Sequence, residues 1–462
     1  MVHCFKIHGD RLAWDSETQA LLILDEPAFA CLELYVQSAG RAPDDAELRR
    51  LNRERGIAFE ELRSAREEID ELIAAGHLFA PRAPVAAEVL YPEPPVIKAL
   101  CLHLCHDCNM RCRYCFAGTG DYGTGKRTMM STEIGKRAID FLIEMSGSRR
   151  NLDIDFFGGE PLLNWEVAKE LTLYARQREV ETGKELRLTL TTNALLLDAE
   201  KREFINRHMK NVVLSFDGRR EVQDNMRRAV GGQSTFERVA ANIDAFIPER
   251  GDAEYYVRGT YTHFNLDFVE DVLMMADRGW EQLSLEPVVG APEKEWSLRT
   301  EDLPEIIASY ERLAAEYVRR RRDGSEDPPF AFFHFNIDLE SGPCYYKRLK
   351  GCGVGVEYCA VAPDGTLYPC HQFVGKPEFV LGNVMEEPPL TNQDLLERFR
   401  SLLVPDRVPC RDCWALYFCS GGCPAAAWYE TGSLDKVYEQ SCVLQQHRLE
   451  CALWIQTQLN RD

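Results

Sequence analysis

The sequence predicts an α/β protein whose body is an open, partial TIM-type barrel of six strand–helix units, (β/α)6. Two observations carry that prediction. Between residues 96 and 286, six short β-rich runs alternate with amphipathic helical runs; such repetition implies a parallel sheet with right-handed crossovers. The residues with evident chemistry then fall at the C-terminal ends of those runs, where barrels of this kind carry their sites. A smaller unit precedes the body and a cysteine-rich one follows it, dividing the chain into 1–93, 94–329 and 330–462.

In the first unit, residues 3–8 (HCFKIH) and 20–24 (ALLIL) read as strands around an acidic turn region. Helices are expected at Pro27–Ser38, where proline suits the first turn, and at Asp44–Arg55, with Gly56 just beyond. A third runs Phe59–Ala75, where Leu62, Ala65, Ile69, Leu72 and Ile73 keep helical spacing and Gly76 supplies the stop. Cys4 and Cys31 stand alone in apolar stretches and read as buried small hydrophobes. The Pro-rich stretch Pro81–Pro95 marks the boundary.

The barrel strands are expected at Val96–Leu104, Leu152–Phe157, Arg187–Leu190, Val212–Phe216, Tyr255–Thr262 and Gln282–Glu286. Between and around them lie helices at Thr132–Ser146, Trp165–Val180, Lys201–Met209, Thr235–Phe246 and Leu266–Asp277. Ile306–Arg322 is a long helix outside the barrel, and Asp323–Pro329 a linker.

The first strand runs into Cys105–Phe116, CHDCNMRCRYCF, where Cys108, Cys112 and Cys115 have the spacing C-x3-C-x2-C. Three thiolates this close can hold three irons of a 4Fe–4S cluster, which normally takes four cysteines, and so leave one iron open to a ligand. A zinc site is the bland alternative, but zinc sites usually pair cysteines as C-x2-C twice. Tyr114 and Phe116 would wall the cluster. Cys101 and Cys105 read as packing residues, although Cys105 and Cys108 form a rival C-x2-C. The second strand ends in Gly158-Gly159-Glu160-Pro161, where glycine lets backbone approach a ligand closely. Asn193 follows the third strand, Ser215 ends the fourth beside Asp217, and Arg227 follows. A guanidinium suits a carboxylate, since its fork binds both oxygens. Asp217 could equally cap a turn.

The composition narrows the function further. Lys and Arg number 54 against 74 Asp and Glu, a net charge of −20, which disfavours nucleic-acid or membrane-surface partners. No run of apolar residues is long enough to span a membrane, and the N-terminus lacks a secretory apolar core, so a cytoplasmic location is expected. The 17 cysteines are an odd number lying in tight groups, which in a reducing compartment reads as metal or cluster ligation rather than disulfides. Exposed clusters of that kind imply anaerobic conditions. In the last third, Cys352 and Cys370 stand in the pattern C-x12-G-x4-C, with a hairpin expected at Ala360–Ala362 and Thr366–Tyr368. Cys410, Cys413, Cys419 and Cys423 follow as C-x2-C-x5-C-x3-C, with Cys442 beyond. A zinc ribbon is the alternative here. Cys359 and Cys451 read as packing.

These motifs resemble the radical S-adenosylmethionine (SAM) enzymes with a seven-cysteine SPASM extension. The stretches CLHLCHDCNMRCRYCFAGTGDYG (101–123), SGSRRNLDIDFFGGEPLLNW (146–165) and GPCYYKRLKGCGVGVEYCAVAPDGTLYPCHQFVG (342–375) are most similar to maturases of "six cysteines in forty-five" (SCIFF, or ranthipeptide) peptides. The resemblance implies thioether crosslinking of a peptide cysteine sulfur to a carbon of another residue. It implies SAM and three 4Fe–4S clusters as cofactors. Cys108, Cys112 and Cys115 would hold the SAM-binding cluster, and Gly158, Gly159, Glu160, Asn193, Ser215 and Arg227 would contact SAM. Cys352, Cys370 and Cys423 would hold auxiliary cluster I; Cys410, Cys413, Cys419 and Cys442 would hold auxiliary cluster II. Seven thiolates leave one position, which either Cys344 fills or a substrate thiol takes. The implied partners are a cysteine-rich precursor peptide with its leader, held by a winged-helix-like unit at the N-terminus, and a one-electron donor such as flavodoxin or ferredoxin. The competing readings are quinohemoprotein-subunit crosslinking and anaerobic sulfatase maturation. The latter relies on an Asp as proton acceptor, whereas His371 follows Cys370 here. A non-catalytic electron carrier would have no use for an open iron.

Overall fold

The computed structural model describes residues 1–82, 90–91, 95–290, 292–322 and 324–460. The Pro-rich boundary therefore lies mostly outside the described residues.

The chain opens with an antiparallel meander, β1 (Val2–Ile7), β2 (Asp10–Asp15) and β3 (Ala20–Leu24), in that spatial order. The middle strand corrects the sequence reading, which made this stretch a turn. His8 and Gly9 both sit at positive φ, 50° and 85°, the geometry of a two-residue hairpin turn that reverses the chain at once. Asp10 and Asp15 give the segment its turn-like look, yet Leu12, Ala13 and Trp14 between them are fully buried. Helices Glu26–Gln37, Asp45–Arg55 and Phe59–Ala74 close over the sheet. Asp25 and Asp44 cap the first two by accepting from backbone N–H groups, about 1 kcal/mol each. Leu32, Tyr35, Leu48, Leu62 and Ile69 form a core separate from the main one, and Cys31 is buried in it as expected.

The main sheet has ten strands among the described residues. The six expected ones are β4 (Ala99–Cys105), β6 (Asn151–Gly158), β7 (Glu185–Thr192), β8 (Asn211–Ser215), β10 (Glu254–Tyr261) and β11 (Gln282–Pro287). They lie side by side in chain order, all parallel. Two short strands outside this sheet, β5 (Met110–Cys112) and β9 (Arg227–Ala229), pair antiparallel with each other. β12 (Ala331–Phe332) extends the sheet past β11. On the other side β13 (Tyr358–Val361) runs parallel to β4, followed by β14 (Thr366–Tyr368) and β15 (Gly382–Asn383). The C-terminal hairpin thus continues the barrel sheet.

The strands alternate strictly. Leu152, Ile154 and Phe156 of β6, Leu186, Leu188 and Leu190 of β7, and Val212 and Leu214 of β8 are buried under the helices. The intervening residues, Asp155, Thr189, Thr191 and Ser215 among them, face the concave side, which holds a cavity. The long helix Glu439–Leu459 packs on Leu303–Arg319. It also ties down the first sheet, since Trp454 Nε1 donates to Asp10 at 2.9 Å and His3 bonds Glu450 at 2.8 Å. Among the described residues no helix is long and apolar enough to cross a membrane.

Candidate active site and its cysteine sets

One cavity of about 410 Å³ opens at the strand C-termini. Its lining includes Cys108, Cys112 and Cys115 together with Gly158, Gly159, Glu160, Asn193, Ser215 and Arg227. Residues spread over 120 positions of sequence are therefore gathered in one place.

Three glycines clamp the cysteine loop. A Cβ on Gly159 would stand 2.0 Å from the Asp107 carbonyl oxygen, one on Gly158 2.3 Å from the Cys105 oxygen, and one on Gly120 2.8 Å from the Asp107 carbonyl carbon. The Gly159 N–H donates to Cys105 O and the Glu160 N–H to Asp107 O, both at 2.8 Å. The glycines thus admit the loop backbone, and Gly158 and Gly159 also line the cavity. Cys101 and Cys105 are fully buried, and Cys105 Sγ donates to Glu160 O.

The Glu160 carboxylate accepts from Asn193 N–H (2.8 Å), Thr192 O–H (2.7 Å) and Leu162 N–H (3.1 Å), sewing β6 to β7. Burial nevertheless raises it to about 7. Asn193 turns its amide to Asn109 Oδ1 at 2.7 Å, with Cys108 Sγ 3.7 Å away. The β5–β9 pair sets Cys112 opposite Arg227. Arg227 Nε donates to Asp217 at 2.8 Å, and its guanidinium covers the Tyr114 ring. Tyr114 O–H donates to the other Asp217 oxygen at 2.6 Å. Asp217 is therefore a buried ion-pair partner of Arg227, and among the described residues the terminal guanidinium nitrogens remain for the cavity.

Two further cysteine groups stand beyond the barrel. Cys410, Cys413, Cys419 and Cys442 line a second cavity of about 240 Å³, with Cys423 and Arg448. Gln446 Nε2 donates to Cys413 Sγ at 3.3 Å. Cys423 lies close enough to raise both Cys352 and Cys370, and Cys352 close enough to raise Cys370. Cys344 is exposed; its helix, Tyr345–Lys350, packs on Leu416–Cys419. Cys359 and Cys451 are buried.

Residues 102–251 match the radical SAM superfamily, and residues 352–414 match the SPASM iron–sulfur cluster-binding domain. The chain carries a radical SAM domain and a SPASM domain. It is similar to the serine-type anaerobic sulfatase-maturating enzyme of Klebsiella aerogenes, 25% identical over 364 residues that cover 74% of this chain and 82% of that one. Its fold resembles anSMEcpe with bound AdoMet and Cp18Cys peptide, with TM-score 0.64 and 20% identity over 80% of this chain and all of that one. It also resembles Streptococcus suis SuiB bound to precursor peptide SuiA, with TM-score 0.54 and 16% identity over 96% of this chain and 98% of that one. Radical SAM and SPASM domains imply SAM and iron–sulfur clusters, and the site suits them. Three thiols share the cavity of the radical SAM domain, and Asn109 Nδ2 beside Cys108 is buried without a partner among the described residues. Burial holds the Cys112 thiol up at about 12 despite Arg227, so deprotonation there is coupled to metal binding.

The concave face adds residues that motif reading missed: Asp155, Thr191, Arg258 and Glu286 also line the cavity. Their signal was present. Parallel strands buried on both faces read as continuous apolar runs, whereas LDIDFF, LRLTLTT and YYVRGTY alternate.

Proposed function

We propose that this chain is a radical SAM peptide maturase that joins a cysteine sulfur of a ribosomally made, cysteine-rich precursor to a carbon of another residue. The observation that carries the reading is the single cavity shared by the cysteine triplet, the Gly158–Glu160 turn, Asn193, Ser215 and Arg227, with the SPASM hairpin hydrogen-bonded to the strand that feeds it. Cys108, Cys112 and Cys115 would hold a SAM-binding cluster, and bound SAM would supply radical chemistry toward peptide carbon. Arg227, anchored by Asp217, would bind the SAM carboxylate, and Ser215 the ribose. Cys352, Cys370 and Cys423 would hold one auxiliary cluster and leave a place for the substrate cysteine, and Cys410, Cys413, Cys419 and Cys442 would hold the second. The electron would come from a one-electron donor such as flavodoxin or ferredoxin.

The first ninety residues support a peptide substrate. The anSMEcpe fold covers 80% of this chain and SuiB covers 96%. β3 is bonded only to β2, so among the described residues its outer edge is open to an added strand. We read residues 1–93 as the winged-helix-like leader-binding unit. Sulfatase maturation is the second reading, favoured by the Klebsiella relative.

Reconstituted enzyme, reductant and SAM with a leader-bearing cysteine peptide should yield a product lacking two hydrogens, with a sulfur–carbon bond placed by tandem mass spectrometry. An aldehyde formed from a sulfatase-type peptide, with the cysteine-rich peptide untouched, would replace this reading with the second.

A further inference from the structure

Of the three carboxylates lining the active cavity, two have their oxygens engaged. Glu160 accepts three hydrogen bonds, and Glu286 is held by His334 with Arg258 and Arg448 nearby. Asp155 differs. It stands on β6, level with Cys101 of β4 and Thr189 of β7, and among the described residues its one hydrogen-bond donor is the Thr191 hydroxyl at 3.3 Å. The groups that face it are Arg258 of β10, Cys101 of β4 and Tyr358 of β13. Tyr358 and Cys101 in turn feel Cys370. Asp155 therefore sits where the cavity meets the SPASM hairpin, with an oxygen to spare.

We propose that Asp155 is the proton acceptor of the reaction, taking the proton that the peptide cysteine gives up on its way from free thiol to thioether. This rests on the peptide-maturase reading. Over the whole reaction a C–H and an S–H bond break and a C–S bond forms. The hydrogen atom goes to the 5′-deoxyadenosyl radical, the proton to Asp155, and the remaining electron to an iron–sulfur cluster of the SPASM domain. Burial raises the Asp155 carboxyl to about 7 against the pull of Thr191 and Arg258, the range in which a base both accepts and releases protons near neutrality.

The test uses cluster-loaded enzyme, SAM and a leader-bearing cysteine peptide deuterated at carbon. Deuterium in 5′-deoxyadenosine counts hydrogen abstraction; mass spectrometry counts oxidised peptide. In Asp155→Asn the ratio of oxidised peptide to deuterated deoxyadenosine should fall about 10²-fold or more, and Asp155→Glu should recover part of it. In the unmodified enzyme the same ratio should fall as pH drops through about 7. This second measurement does not depend on the variant folding. An unchanged ratio in Asp155→Asn, or a ratio flat between pH 6 and 8 (about one unit either side of that value), overturns the proposal while the maturase reading stands. Unmodified enzyme that never oxidises the peptide overturns both.

Discussion

Glu160 shows how one side chain ties chemistry to stability. Its carboxyl is 1% exposed and burial lifts it to about 7 from an ordinary 4.5. The folded state thus holds this proton more tightly than the unfolded chain, so the stability it confers is full below about 4.5 and is lost as pH rises through 7. Thermal unfolding midpoints should fall over that interval, by the equivalent of roughly 3 kcal/mol from this group. Glu160→Gln should flatten the fall while lowering the midpoint at acid pH, because the amide nitrogen replaces one acceptor oxygen and faces either the Asn193 N–H or the Leu162 N–H and Thr192 O–H without accepting. The cysteines and the Gly158–Pro161 turn were legible in the sequence because their spacing is local. Asp217 was not, since its pairing with Arg227 and Tyr114 depends on a strand contact between residues 110–112 and 227–229, and three-residue strands carry no periodic signal.

Among the elements, the six barrel strands and their helices were readable from periodicity, and each was found within a few residues of its expected place. β2 was hidden by its flanking aspartates, and β12 and β15, two residues each, are too short to announce themselves. The open edge of β3 gives the element-scale prediction. Calorimetry should show the intact chain binding a leader-bearing peptide about tenfold or more tightly than a leaderless one, a difference of about 1.4 kcal/mol. A chain lacking residues 1–82 should show no such preference. Equal affinity of the intact chain for both peptides would reduce the unit to a packing extension.

For the whole molecule, the alternation along β6, β7 and β10 already implied a hollow body, but no local pattern could show that the C-terminal hairpin belongs to the same sheet. Parallel pairing of β13 with β4 joins residues more than 250 positions apart, and such pairing leaves its trace only in three dimensions. Removing residues 344–462 should therefore do more than delete cysteines. It would bare the backbone edge of β4 along Leu100 and Leu102, and uncapped edges invite aggregation. The truncated chain should be insoluble or oligomeric by light scattering, even with its barrel sequence intact. A soluble monomer would show that the hairpin merely leans on the barrel.

The same pairing acts as a ruler. β4 leads into the loop of Cys108, and the hairpin built on β13 leads to Cys370, so backbone rungs connect the elements that carry the two. Were clusters held at both, an electron would cross a separation set by that pairing, and the timing would pass to whatever enters the gap.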